Sequence, residues 1–150
     1  MPVGAGTIVR SEQVDLVAGI GAAFTVSPGL DPEVVRASWA AGLPALPGVG
    51  TATDVQLAVK LGLTWLKAFP ASVLTPAWFA AMRGPFPQVR FCATGGVDAV
   101  NASTFLDAGA QMVAVGSALA DDRQLAALAD LVRARRAVPA ADGAGPDGDR

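Results

Sequence analysis

Lys67 is one of two lysines in this 150-residue chain, and it lies in an apolar run, Leu63-Thr64-Trp65-Leu66-Lys67-Ala68-Phe69-Pro70-Ala71. On the two-residue period of a strand, Lys67 shares a face with Leu63, Trp65 and Phe69. Two readings of it stand about level. In one, the ammonium reaches solvent while its stem covers Trp65 or Phe69. In the other, apolar surroundings disfavour the charged form and leave a neutral amine able to attack a carbonyl and form a Schiff base. Lys60 falls on a helix and is more simply a solvent-facing charge. Thr7, Ser27 and Thr94 can donate hydrogen bonds to a substrate carboxylate or hydroxyl, although such residues at strand ends often only cap the next segment.

A second group of residues suits an anion. Thr94-Gly95-Gly96 and Gly116-Ser117 follow the last two apolar runs of the chain. Glycine lets backbone N–H groups approach a ligand closely, and Ser117 to Ala120 is predicted as a short helix whose N-terminus faces the anion. Either motif alone is more simply a tight turn. Their joint position on consecutive final units points to phosphate.

Composition narrows the remaining chemistry. The chain has no His and no Tyr, which removes the usual general base, the Ser-His and Cys-His pairs and most zinc sites. A net charge of -2 argues against a general nucleic-acid or anionic-membrane surface. No apolar stretch reaches the roughly 18 residues of a membrane span, and Met1-Pro2-Val3-Gly4 does not open a signal peptide. The single cysteine, Cys92, excludes an internal disulfide, fits a reducing cytoplasm and reads as a small core residue on a strand. Metal-independent lysine chemistry is what these exclusions leave.

The elements that must position these groups follow a repeat. Thr7, Ser27, Pro47 and Lys67 are 20 residues apart, each at the end of an apolar run: Val3–Val9, Ala23–Pro28, Leu43–Pro47 and Leu63–Lys67. Val89–Thr94 and Gln111–Val115 extend the series to six predicted strands. Between them lie helices with start signals at Ser11, Asp31-Pro32, Thr51, Thr75-Pro76, Asp98 and Asp122. Gly21, Gly42, Gly62, Gly84 and Gly109 stop the first five. The predicted apolar faces include Val14, Val17 and Ile20; Val34, Val35 and Trp39; Val55, Leu57, Ala58 and Leu61; and Leu125, Leu128, Leu131 and Val132. Strand-helix alternation implies an α/β fold with parallel strands, either an open doubly wound sheet or most of a (β/α)8 barrel. Polar or glycine punctuation at every strand end favours the barrel. Residues 1–138 are assigned to this domain, and residues 139–150, rich in Ala, Asp, Gly and Pro, to a disordered tail.

In order, Gly4-Ala5-Gly6-Thr7, Ser27-Pro28-Gly29, Pro47-Gly48, Lys67-Ala68-Phe69-Pro70-Ala71, Val89-Arg90-Phe91-Cys92-Ala93-Thr94-Gly95-Gly96 and Gly116-Ser117 resemble the KDPG/KHG aldolase family, that of 2-keto-3-deoxy-6-phosphogluconate aldolase. The resemblance covers residues 3–136, and Thr94 before Gly-Gly is closer to the phosphogluconate branch than to the galactonate one. It implies a class I aldolase on a (β/α)8 barrel, commonly a homotrimer, that yields pyruvate and glyceraldehyde 3-phosphate from the phosphorylated keto-deoxy sugar acid without a metal or other cofactor. By position it makes Lys67 the Schiff-base lysine, sets Thr7 and Thr94 near the pyruvyl group and Phe69 in the pocket wall, and gives Gly95, Gly96, Gly116 and Ser117 the phosphate.

Gly4 matches the start of the third strand of the family's barrel, and the first two βα units have no counterpart here. Those units carry the family's proton-transferring glutamate and a carboxylate-binding arginine. Asp31, Asp54 and Asp98 read instead as helix caps or first-turn residues. Six strands leave two edges unpaired and apolar faces open to water, so such a chain is expected to be unstable or sticky. A start codon placed too late is the expected explanation, ahead of gene decay or a split protein. Impaired retro-aldol turnover is the expected consequence. The competing expectation is a noncatalytic sugar-phosphate-binding or assembly module.

Overall fold

A computed structural model describes residues 1–137, so the predicted tail lies outside the described residues. Hydrophobic runs and caps set the order of elements: α1 (Glu12–Gly19), β1 (Thr25–Val26), α2 (Pro32–Ala40), β2 (Ala45–Leu46), β3 (Gly48–Val49), α3 (Ala52–Lys60), β4 (Trp65–Ala68), α4 (Ala71–Arg83), β5 (Arg90–Thr94), α5 (Ala102–Asp107), β6 (Met112–Ala114), a 3-10 helix (Ser117–Ala120) and α6 (Asp122–Ala137). All strand pairs are parallel, in the orders β1-β2 and β3-β4-β5-β6. Pro47, buried and without an N–H, separates β2 from β3, yet its carbonyl accepts from Lys67 N at 2.9 Å, so the wall continues through it. Strand order therefore rises steadily along the chain and never reverses as a doubly wound sheet does. Right-handed crossovers running in one direction lay every helix on the same side, which makes this the wall of a (β/α)8-type barrel.

The predicted strand Val3–Val9 is shortened to a single bridge, Ala5 to Thr25. Its backbone still bonds to the β1 segment, through Ala5 N to Phe24 O and Ile8 N to Val26 O, but Thr7 at φ 58° breaks the extended path. The predicted third strand is divided at Pro47, as above.

Most terminators behave as their residue types dictate. Gly21, Gly42, Gly62 and Gly109 have positive φ, whereas Gly84 sits at -61° and ends α4 without a left-handed turn. Asp31 accepts from Glu33 N, and Thr51 with Asp54 forms a reciprocal capping box. Two predicted starts are corrected. Ser11 makes no side-chain cap: it is already helical at φ -61°, and the N–H groups of Gln13 and Val14 that it would cap go to Arg10 O and Ser11 O. Asp98 belongs to the turn before α5, whose cap position is Asn101. The predicted start at Thr75-Pro76 is present inside α4: Thr75, at φ 63° and ψ 162°, is non-helical and kinks the element, so one turn from Ala71 precedes it and a second helix restarts at Pro76.

The main core lies between the outer face of the sheet and the helices. Leu66, Ala68, Phe91 and Ala93 point into it, against Val55, Ala58, Phe79 and Phe105. Trp78, Phe79 and Phe91 meet edge to face, and Trp78 Nε1 donates to Gly50 O at 3.0 Å. Full burial of a ring such as Phe79 or Phe91 contributes about 1.5–3 kcal/mol each. A second cluster joins Ile8, Val14, Val34 and Leu43. Ile20, Trp39, Leu57, Leu125 and Val132, predicted on buried faces, are exposed. They occupy the flanks of stripes that only their central residues can pack.

The inner face of the arc carries Trp65, Lys67, Arg90, Cys92 and Thr94. At its lower end Phe24, Pro44, Ala45, Leu46, Trp65 and Met112 line an apolar hollow of about 320 Å³. Met112 is 47% exposed there, so the expected open apolar face is present.

Candidate active site

β4 delivers Lys67 to the inner face, and alternation sends its neighbours Leu66 and Ala68 to the core. Lys67 is 9% exposed, and its Nζ lies 4.1 Å from the centre of the Phe69 ring. Little of the side chain reaches solvent, and its amine lies over Phe69, the contact that the snorkelling reading also expects. Burial holds the amine below the ordinary lysine value, and the charge of a Cys92 thiolate would oppose this only in part. Cys92 is level with Lys67 in the β4–β5 register, and burial pushes its thiol up. A neutral thiol beside the amine leaves desolvation in control. Cys92 is buried, as expected of a core residue, but it faces the lysine and sits 3.6 Å from the Thr94 hydroxyl.

Two residues beyond Cys92, β5 ends at Thr94 on that same inner face. Thr94, Gly95, Gly96, Val97, Ala114, Val115 and Gly116 enclose a cavity of about 220 Å³. The glycines are needed by contact as well as by φ. A Cβ on Gly95 (φ 92°) would stand 2.9 Å from the Phe69 ring, and one on Gly96 (φ 73°) 2.6 Å from Ser72 Cβ. Among the described residues, the N–H groups of Gly95, Gly96, Val97 and Gly116 find no acceptor. The predicted short helix is present as the 3-10 turn Ser117–Ala120. Phe69 thus touches the lysine on one side and the glycine loop on the other.

The remaining predicted residues are spread along the arc. Thr7 is exposed at the far edge, with the sheet order placing two strand positions between its segment and β4. Ser27 is buried, and its N–H bonds to Leu46 O. Asp31, Asp54 and Asp98 are committed to backbone N–H groups, the first two at the predicted cap and first-turn positions and Asp98 in the turn before α5. Among the described residues no cluster of acids and cysteine is arranged to hold a metal. Sequence reasoning missed Asn101 and Gln124, which anchor the glycine loop. The Asp98-x-x-Asn101 spacing was a legible turn signal; Gln124, 25 residues from its partner Ala99, gave none.

The family model described as KDPG and KHG aldolase matches residues 1–134. The chain belongs to that family. A 2-dehydro-3-deoxy-phosphogluconate aldolase of Pseudomonas aeruginosa is 40% identical over 105 residues, which cover 69% of this chain and 48% of the relative. The chain thus spans about half the length of the curated relatives it matches. Among solved structures, a native KDPGal structure aligns with TM-score 0.80 at 30% identity, covering 90% of this chain and 70% of that one. The KDPG aldolase of Legionella pneumophila, with pyruvate captured as a covalent carbinolamine, aligns with TM-score 0.73 at 29% identity, covering 87% and 66%. A KDPG/KHG aldolase family member therefore presents here a buried lysine beside a glycine-lined cavity. No helix among the described residues is long and apolar enough to cross a membrane.

Proposed function

We propose that this chain carries the Schiff-base lysine and the phosphate cradle of a class I aldolase, cytoplasmic and homotrimeric, that cleaves 2-keto-3-deoxy-6-phosphogluconate to pyruvate and glyceraldehyde 3-phosphate. The observation that carries the reading is Lys67, a desolvated amine one strand away from a cavity lined by unpartnered backbone donors. The carbinolamine described for the Legionella pneumophila relative is the species that an amine forms on adding to the pyruvate carbonyl, and it supports the same chemistry here.

Lys67 Nζ adds to the C2 carbonyl, and loss of water gives an iminium. Removal of the C4 hydroxyl proton lets the C3–C4 bond break. The aldehyde departs as glyceraldehyde 3-phosphate, and the bonding electrons pass into the enamine. Protonation at C3 and hydrolysis release pyruvate and restore the amine. Thr94 and Thr7 bind the pyruvyl end, Phe69 walls the pocket, and Gly95, Gly96, Gly116 and Ser117 hold the phosphate. The barrel portion, residues 1–138, acts as one unit.

Incubation with pyruvate and borohydride, read by peptide mass spectrometry, is expected to place a pyruvyl adduct on Lys67. A folded sample without that adduct overturns the reading. Retro-aldol turnover of this chain is expected to be weak, because Asp31, Asp54 and Asp98 are each engaged with backbone N–H groups and the C4 hydroxyl lacks a described proton acceptor. That engagement also favours a second reading, a noncatalytic sugar-phosphate-binding module. It predicts phosphate binding with no lysine adduct.

A further inference from the structure

We infer that Asn101 is a positioning residue for phosphate recognition, fixing the Gly96–Val97 peptide so that its N–H faces the cavity; this rests on the phosphate site proposed above. Asn101 Nδ2 donates to Gly96 O at 2.9 Å, and its Oδ1 accepts from Asp98 N at 3.0 Å. These partners settle the orientation of the side-chain amide, since a flip would set oxygen against oxygen and NH2 against N–H. Asp98 Oδ1 returns the contact by accepting from Asn101 N at 3.0 Å and Val100 N at 2.9 Å. Gln124 Oε1 takes the Ala99 N–H at 2.9 Å, tying the loop to α6.

In a trans peptide the C=O and N–H point in opposite directions. With the Gly96 carbonyl held toward the start of α5 by Asn101, the Val97 N–H is aimed to the opposite side. Gly96 and Val97 both line the 220 Å³ cavity, and Asn101 does not. Val97 is 2% exposed and its N–H has no acceptor among the described residues, so the cavity that Val97 lines is where this donor can meet one. Gly96, at φ 73°, has access to both halves of φ space, so its carbonyl is free to rotate once the Asn101 bond is removed. Rotation would turn the Val97 donor out of the cavity.

The test uses the full chain, inorganic phosphate as probe and amide NMR as readout. In the unsubstituted protein the Gly95, Gly96 and Val97 amides are expected to shift saturably with phosphate. Asn101→Ala should weaken phosphate about tenfold relative to its pyruvate trapping at Lys67, in keeping with one lost donor to an anion. Asp98→Ala removes two bonds of the same turn but leaves Asn101 to Gly96, and it should keep phosphate affinity within about threefold. If Asn101→Ala does not fold, Asn101→Asp, which keeps the acceptor for Asp98 N and loses the donor, should show the same loss in screening salt. Unchanged phosphate affinity in the Asn101 variant, or an equal loss in Asp98→Ala, overturns the inference alone. Absence of phosphate shifts in the unsubstituted protein overturns the phosphate site and this inference with it. Absence of the pyruvate adduct counts only against the Schiff-base assignment.

Discussion

The amine of Lys67 rests 4.1 Å above the ring of Phe69, and that ring occupies the space a side chain on Gly95 would need. Nucleophile, aromatic wall and glycine loop are therefore in series, and a change in the ring reaches both ends. Phe69→Ala admits water to Lys67 and removes a cation–π contact. These act oppositely on the amine, and desolvation, the leading cause of its lowered pKa, prevails. Borohydride trapping of pyruvate at neutral pH is expected to slow by about tenfold per pKa unit regained, with the pH profile displaced upward.

The buried amine also has a cost. Between its lowered folded value and the ordinary value of 10.5, the unfolded chain holds a proton that the folded chain has released. Stability attributable to Lys67 therefore rises with pH in that window, and the penalty is complete below it. Cys92 acts in the opposite sense above 9.0, because its folded thiol keeps a proton that the unfolded one loses. Lys67→Met should raise stability at pH 7 by about 1 kcal/mol and remove the lysine part of the slope, measured by denaturant titration from pH 7 to 10.

Gly48 is fixed by backbone rather than by φ. A Cβ there would stand 2.0 Å from Pro28 O and 2.3 Å from its carbonyl carbon, where β3 crosses the loop after β1. Gly48→Ala should cost about 3 kcal/mol or more and lower the melting temperature, since the Pro28–Gly29 loop cannot back away without breaking the Gly48 N to Gly29 O bond, nor β3 without straining the Lys67 N to Pro47 O bond.

Thr25 and Ser38 form a buried hydroxyl pair at 2.8 Å, and Ser38 Oγ spends its proton on Val34 O at 2.9 Å. Thr25 must then donate to Ser38. Ser38→Ala is expected to cost about 1–3 kcal/mol by orphaning that donor, and Thr25→Val with Ser38→Ala less than the sum of the single changes. A thermal-melt double-mutant cycle measures the difference.

What lay within four or five residues was legible in the sequence. The 20-residue repeat placed Lys67 at a strand end, Asp31 and Thr51 cap as their types dictate, and four of five predicted glycine stops take positive φ. Local hydrogen bonds and φ preferences decide such features before any packing occurs. The sequence by itself therefore determined the parallel α/β order, the lysine in its apolar strand and the two glycine loops. Tertiary structure alone decided that Ile20, Trp39 and Leu57 remain exposed and that Phe69 bridges Lys67 and Gly95. It likewise decided that Gln124 reaches Ala99 and that Cys92 faces the lysine. Each depends on which neighbour arrives from a distant part of the chain, and a one-dimensional pattern carries no record of that arrival.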